Sequence, residues 1–231
     1  MVFMNYELLI FDADGTLFDF EKAEEYAFFK TAENAGRNFS NEEYGVYGRL
    51  NKAIWKEMEL GEIDQETLKA ERFRRFFAKL GIDEDVVGFS KEYLYNLSTA
   101  GFLFDGAVEL LDQLKGRYRM VLLTNGLTSV QETRLGKSPV RPYFEELVIS
   151  ENVGISKPDP RIFEHTLAKI GYEKKEKALM IGDSLTSDIK GGLNFGVDTC
   201  WYNAEMKENE KNIVPKYEVH DYEELLGILG M

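Results

Sequence analysis

The chain has 231 residues, 44% of them hydrophobic and 13% aromatic, and a formal net charge of −13. That length supports a sizeable core, either as one large domain or as a domain carrying an inserted one. An acidic chain gains nothing from phosphate neutralisation, which argues against duplex nucleic acid and anionic membrane as partners but leaves room for a local basic pocket.

The first element is predicted over residues 6–11. No basic region precedes an apolar one there, and Leu8–Phe11 is too short for a signal peptide or a membrane span. A continuous apolar run that ends in a turn signal suits a strand buried on both faces. The run Leu8-Leu9-Ile10-Phe11 leads straight into Asp12-Ala13-Asp14-Gly15-Thr16. Side chains alternate along an extended chain, so Asp12 and Asp14 project to one side, and Gly15 lets the chain turn away. Two carboxylates about 4 Å apart repel by roughly 4 kcal/mol at an effective dielectric near 20. A cation, or a proton on one of them, must offset that. Alone, Asp-x-Asp-Gly is also a common solvated turn.

From about Phe20 to Ser98 the apolar spacing of three and four predicts amphipathic helices throughout. The expected inner faces are Ala23, Ala27, Phe28 and Thr31, then Val46, Leu50, Ile54, Trp55 and Met58. Leu68, Phe73, Phe76, Phe77 and Leu80 follow, then Val86, Val87, Phe89 and Leu94. Breaks fall near Gly36–Asn41, Gly61–Asp64 and Gly81–Asp83. Ser40 with Glu43 matches a capping box, and Asp64 with Thr67 is a second helix start. An all-helical block after a single strand reads as an insertion.

Beyond Gly101 short apolar runs alternate with helices. A helix over Ala107–Leu114 precedes the run Arg119–Leu123, which ends in Thr124-Asn125-Gly126. A helix near Ser129–Leu135 is followed by Leu147–Ser150, then a helix over Ile162–Ile170. Ala178–Ile181 runs into Gly182-Asp183-Ser184, followed by a helix over Asp188–Phe195. Val197–Trp201 is another strand, Tyr217–Val219 a last one, and Asp221–Leu229 a closing helix. The single cysteine, Cys200, excludes an internal disulfide framework and fits a reducing cytoplasm. This alternation means βαβ units and a parallel sheet. Right-handed crossovers place every strand's carboxyl end on one edge. Asp12 and Asp14, Thr124 and Asn125, and Asp183 then converge on one crevice.

Four clusters meet there. Beside the paired aspartates, Thr124-Asn125-Gly126 offers a hydroxyl and main-chain N–H groups, which is anion-binding geometry. Lys157-Pro158-Asp159-Pro160 brings a lysine, and Asp159 with Pro160 can open a helix. Gly182-Asp183-Ser184 with Asp188 brings carboxylates able to hold a hard cation. Taken singly, each is also an ordinary turn, surface or capping sequence. His165 and His220 read as surface or partly packed. Gly191-Gly192 reads as close packing within a helix, and Glu205–Glu210 as a solvated loop.

Taken together and in order, Asp-x-Asp-Gly-Thr, the later Thr after an apolar strand, Lys-Pro and Gly-Asp-Ser-x-x-x-Asp resemble the haloacid dehalogenase superfamily. Asp14 resembles the phosphatase branch, and the helical insert resembles the cap of subfamily I. Leu-Leu-Thr-Asn-Gly at 122–126, Val-Ile-Ser-Glu-Asn-Val-Gly at 148–154 and Asp-Ile-Lys-Gly-Gly-Leu-Asn-Phe-Gly at 188–196 resemble the YjjG-type 5′-nucleotidases. The N-acylneuraminate-9-phosphatases share much of the pattern.

The resemblance implies an α/β fold, with a Rossmann-like core over 1–17 and 103–231 and an all-helical cap over 18–102. It implies a cytoplasmic, Mg²⁺-dependent phosphomonoesterase, a monomer or homodimer, acting on a small phosphorylated metabolite. Nucleoside 5′-monophosphates are the first expectation; sugar phosphates or N-acylneuraminate 9-phosphate are the alternative, and a phosphomutase reaction is a further one. Asp12 would be the nucleophile and form an aspartyl-phosphate. Asp14 would protonate the leaving alcohol and then activate water. Mg²⁺ would sit on Asp12, the main-chain carbonyl of Asp14, and Asp183. Lys157 would neutralise the nucleophile and the transferring group. Thr124 and the Asn125 N–H would hold phosphoryl oxygens. Asp188 would act from behind, on Lys157 or a water, without a direct metal bond.

Overall fold

A computed structural model describes residues 6–231 of the chain. The leader-free reading of the N-terminus and the first five positions of the expected core segment 1–17 lie outside the described residues.

The sheet is six-stranded and wholly parallel, in the order β3-β2-β1-β4-β5-β6. The strands are β1 (Leu8–Phe11), β2 (Arg119–Thr124), β3 (Glu146–Ile149), β4 (Ala178–Gly182), β5 (Asp198–Tyr202) and β6 (Tyr217–Val219). All four residues of β1 are fully buried. Their alternation sends Leu9 and Phe11 into one apolar layer with Leu110, Leu111 and Leu225, and Leu8 and Ile10 into another with Ile162, Phe163 and Leu167. The helices behind these layers are α5 (Ala107–Leu114), α8 (Pro160–Lys169) and α10 (Tyr222–Ile228). The sheet is thus the α/β, doubly wound core that the sequence predicts, with β1 at its centre.

The chain divides into two compact units. One comprises Met1–Asp19, Phe102–Gly126 and Leu135–Met231, and contains the sheet. The other comprises Phe20–Gly101 and Leu127–Arg134. It is built on α1 (Phe20–Asn34), α2 (Asn41–Glu59), α3 (Gln65–Leu80) and α4 (Val86–Thr99). The two chain crossings are stitched together on the sheet side. Asp19 N–H donates to the Phe102 carbonyl at 3.0 Å, Phe104 N–H donates to the Leu17 carbonyl at 3.0 Å, and Phe18 bridges Leu103 antiparallel.

Helix starts fall where the sequence placed them. Ser40 and Glu43 form the reciprocal capping box of α2. Asp64 caps α3 through Thr67 N–H at 2.7 Å, and Asp159 caps α8 with Pro160 at its first position. The inner face of α4 differs from the expected one. It is Phe89, Tyr93 and Leu97, whereas Val87 is exposed and Val86 and Leu94 are only half-buried. Val87 falls off the inward stripe of Phe89, Tyr93 and Leu97, whereas Val86 is in phase with that stripe and is half-buried in the first turn. The predicted helix at Asp188–Phe195 is two pieces, a π-helical turn over Leu185–Ile189 followed by α9 (Lys190–Phe195). Short helices α6 (Thr128–Gly136) and α7 (Ser150–Val153) complete the set. No helix of the described residues is long and apolar enough to cross a membrane.

Candidate active site

Asp12 is the first residue past β1, and its N–H continues the ladder to the Ile181 carbonyl at 2.9 Å. Its side chain is therefore delivered at the tip of the central strand, beside the end of β4, where open α/β sheets bind ligands. The turn that follows is tight. Gly15 adopts φ +79°, and its N–H donates to the Phe18 carbonyl at 2.9 Å. A Cβ at Gly15 would lie 2.5 Å from Asp183 Oδ2. Only glycine satisfies both the left-handed backbone and that approach. The Tyr222 hydroxyl, from α10, donates to the Thr16 carbonyl at 2.7 Å and holds the turn from behind.

Lys157 is buried, and its Nζ lies 2.6 Å from Asp12 Oδ1, 2.6 Å from Asp188 Oδ1 and 2.6 Å from the Leu123 carbonyl. Its main chain is held as firmly: Lys157 N–H donates to Asn125 Oδ1 at 2.9 Å, and Asn125 Nδ2 donates to the Lys157 carbonyl at 2.8 Å. Asn125 follows β2 directly, so one strand end positions the lysine of a distant loop. Thr124 is buried at the end of β2, and its Oγ1 accepts from Gly126 N–H at 3.1 Å.

Asp183 follows β4, and Asp188 lies in the π-helical turn. Asp188 Oδ2 accepts from Ser184 N–H at 3.0 Å. Asp188 fits because Gly182 has no side chain; a Cβ there would overlap the Asp188 carboxylate. Carboxylate oxygens of Asp12, Asp183 and Asp188 lie within 4.8 Å of one another. Asp14 is half-buried beyond Ala13 and is not part of that side-chain trio.

The electrostatics follow from crowding and burial. Burial is the largest influence on Asp12 and raises its carboxyl well above the usual range. Lys157 opposes the rise; Asp188, Asp183 and Asp14 add to it. Asp183 is pushed up to about 7 by burial and by Asp188, against the pull of Lys207 and Lys157. Burial works against the Lys157 ammonium, but Asp12 and Asp188 outweigh it and hold the charged form above the ordinary lysine range. One buried ammonium thus faces a group of acids that want more positive charge. An oxygen-only donor set of closely spaced carboxylates suits a hard divalent cation such as Mg²⁺.

Residues outside the expected set also shape the site. Trp201 on β5 donates its indole N–H to the Asp183 carbonyl at 2.8 Å. Asn203 pins the loop after β5 by exchanging bonds with both main-chain groups of Lys207 (2.8 and 3.0 Å). The Lys207 ammonium pairs with Glu205 at 2.8 Å and also pulls on the Asp183 carboxyl. Neither residue has a motif spacing to announce it. His220 contacts the Asn203 carbonyl at 2.9 Å and takes no part in the acidic group. Gly191 and Gly192 pack closely: a Cβ would lie 2.7 Å from the Phe163 ring at one and 2.6 Å from Thr199 Cγ2 at the other.

The sequence pattern of the haloacid dehalogenase-like hydrolases matches residues 6–196. The chain belongs to this family. It is 40% identical to pyrimidine 5′-nucleotidase PynA of Streptococcus pneumoniae over 227 residues, covering 98% of this chain and 96% of that one. It is 32% identical to pyrimidine 5′-nucleotidase YjjG of Escherichia coli, covering 96% and 99%. The crystal structure of the HAD-hydrolase YfnB from Bacillus subtilis, bound to magnesium, superposes with a TM-score of 0.92 at 33% identity, covering 98% of this chain and 100% of that one. The Rossmann-like core with an inserted helical region is therefore shared with YfnB.

Proposed function

We propose that this protein is a Mg²⁺-dependent phosphomonoesterase acting through Asp12 on nucleoside 5′-monophosphates, pyrimidine nucleotides first among them. It is a haloacid dehalogenase-family phosphoric monoester hydrolase, as its match along nearly the whole of PynA and its carboxylate cluster support. The observation that carries the reading is the Lys157–Asp12 contact at 2.6 Å in a buried acidic site at the tip of β1. The lysine holds one oxygen of Asp12 and neutralises its charge, so the carboxylate can approach an anionic phosphoryl group. Asp12 attacks phosphorus and forms an aspartyl-phosphate, which splits one difficult displacement into two. Asp14 gives a proton to the leaving alcohol in the first step and takes one from the attacking water in the second. Thr124 and the Asn125 N–H receive phosphoryl oxygens at the end of β2. Asp188 keeps Lys157 charged and aimed.

Asp12, the main-chain carbonyl of Asp14, and Asp183 would hold Mg²⁺, which supplies charge screening between the nucleophile and the phosphate. The helical insert, residues 18–102, serves as a cap that excludes water and selects the leaving group. The nucleotide substrate is supported by likeness to PynA and YjjG, and motion of the cap by the interdomain movement described for YfnB. We place the reaction in the cytoplasm, in keeping with a single, buried, free cysteine.

A panel of nucleotides and sugar phosphates, read by released phosphate with and without Mg²⁺, tests this. Turnover of nucleoside monophosphates, abolished in Asp12→Asn, is expected. Activity on sugar phosphates alone rejects the nucleotide substrate, and an active Asp12→Asn protein rejects the mechanism.

A further inference from the structure

The two edges of a single peptide unit, Asp183–Ser184, are both held. Its carbonyl oxygen accepts the Trp201 indole N–H at 2.8 Å, and its N–H donates to Asp188 Oδ2 at 3.0 Å. Fixing that plane fixes ψ of Asp183 and so restrains the Cα–Cβ bond from which the carboxylate hangs. The tolerance is small, because the main chain of Gly15 closes on the same carboxylate. One holder, Asp188, already belongs to the charged group. The other is a buried tryptophan on β5, registered opposite Gly182 on β4. A phenylalanine at that register would be smaller and would lack the ring N–H that reaches the Asp183 carbonyl.

We propose that Trp201 is a positioning residue for the Mg²⁺ site, setting cation affinity by fixing the aim of Asp183. The inference rests on the proposed metal site and adds a residue that touches neither ion nor substrate. It also makes Trp201 a reporter, since its N–H bonds to the main chain of a residue that holds the ion. The chain has two tryptophans, Trp55 and Trp201, so in Trp55→Phe all indole emission comes from Trp201.

The test uses the full chain and Mg²⁺ alone. Calorimetric titration of Trp201→Phe should show affinity weakened by about three- to ten-fold, the factor that one such hydrogen bond is worth. Turnover lost at low Mg²⁺ should return at high Mg²⁺. In Trp55→Phe, Mg²⁺ should shift the emission with a midpoint that matches calorimetry. Parental Mg²⁺ affinity in Trp201→Phe, with only a lower melting temperature, makes the indole a packing group and overturns the proposal. If Trp201→Phe does not fold, the emission titration decides, and an unchanged spectrum at saturating Mg²⁺ overturns it. Asp183→Asn separates the two layers: parental affinity in that variant rejects the underlying metal site, whatever Trp201 does.

Discussion

Asn125 grips Lys157 by the backbone, taking its N–H at 2.9 Å and giving a hydrogen bond to its carbonyl at 2.8 Å. The lysine reaches Asp12 from a loop more than thirty residues further along the chain. Its ammonium is thus anchored at the main chain by Asn125 and at the tip by Asp12, Asp188 and the Leu123 carbonyl.

Removing that grip separates two roles of Asn125. Asn125→Ala keeps the main-chain N–H that we propose meets phosphate but loses both bonds to Lys157. We expect kcat to fall by about ten- to a hundredfold, on the scale of losing two hydrogen bonds that position a charged group. Steady-state kinetics on the best substrate checks this. Parental kcat would mean that the ionic contacts alone place the lysine.

Gly182→Ala tests whether the seat of Asp188 is steric. The backbone there needs no left-handed conformation, so the added methyl acts only by pushing on the Asp188 carboxylate. We expect a folded protein of lower melting temperature and turnover reduced at least about a hundredfold, because Lys157 loses one of its two carboxylate partners. Circular dichroism with a phosphate-release assay measures both.

The metal-free protein should weaken as pH rises. Burial and Asp188 hold Asp183 at about 7, above the ordinary range near 4 for an unfolded aspartate. Between those values the folded state keeps a proton that the unfolded chain has released. Stability from this group is full below about pH 4 and is lost as pH climbs through about 7. Mg²⁺ removes that cost by supplying the positive charge. Thermal melts should therefore show a larger Mg²⁺-induced gain at about pH 8 than at about pH 6. An equal gain at both contradicts the assignment.

Glu24 gives the same sign in the helical unit. Burial raises its carboxyl to about 7, against Arg72 and Asn51, which favour the charged form. Asn51 Nδ2 donates to Glu24 Oε1 at 2.5 Å, a bond that an amide oxygen can also accept. Glu24→Gln should stabilise the protein by about 1–2 kcal/mol at about pH 8 and leave it unchanged below about pH 4, where folded and unfolded chains both hold the proton. Melts at the two pH values decide.

Much of this was legible in the chain. The apolar run before Asp12 and the later runs before Thr124 and Asp183 gave away both the parallel sheet and the shared mouth, because strand burial and crossover handedness leave few alternatives. Capping at Ser40, Asp64 and Asp159 was readable because it is local. Trp201, Tyr222 and the Asn203–Lys207 loop were not. Each acts through a contact between strands or across loops, set by register rather than by spacing along the sequence. The expected inner face of α4 departs from the observed one because Val87 and Leu94 are apolar neighbours of the Phe89, Tyr93 and Leu97 stripe rather than members of it. The motif around Asn125 points only to its main-chain N–H; the hold of its side-chain amide on Lys157 spans 32 residues and has no local signal.

The ribbon formed by Leu17–Asp19 and Phe102–Phe104 has a consequence for how such a protein can change. Departure and return occupy adjacent rungs, so the roughly eighty intervening residues leave and rejoin the sheet-bearing unit at one place. Any segment whose ends arrive antiparallel and a strand's width apart could be spliced there without disturbing β1 or its neighbours. Under the proposed function, the groups assigned to phosphorus stay with the sheet while the intervening stretch is exchanged, so a new leaving group would be acquired by swapping a cassette.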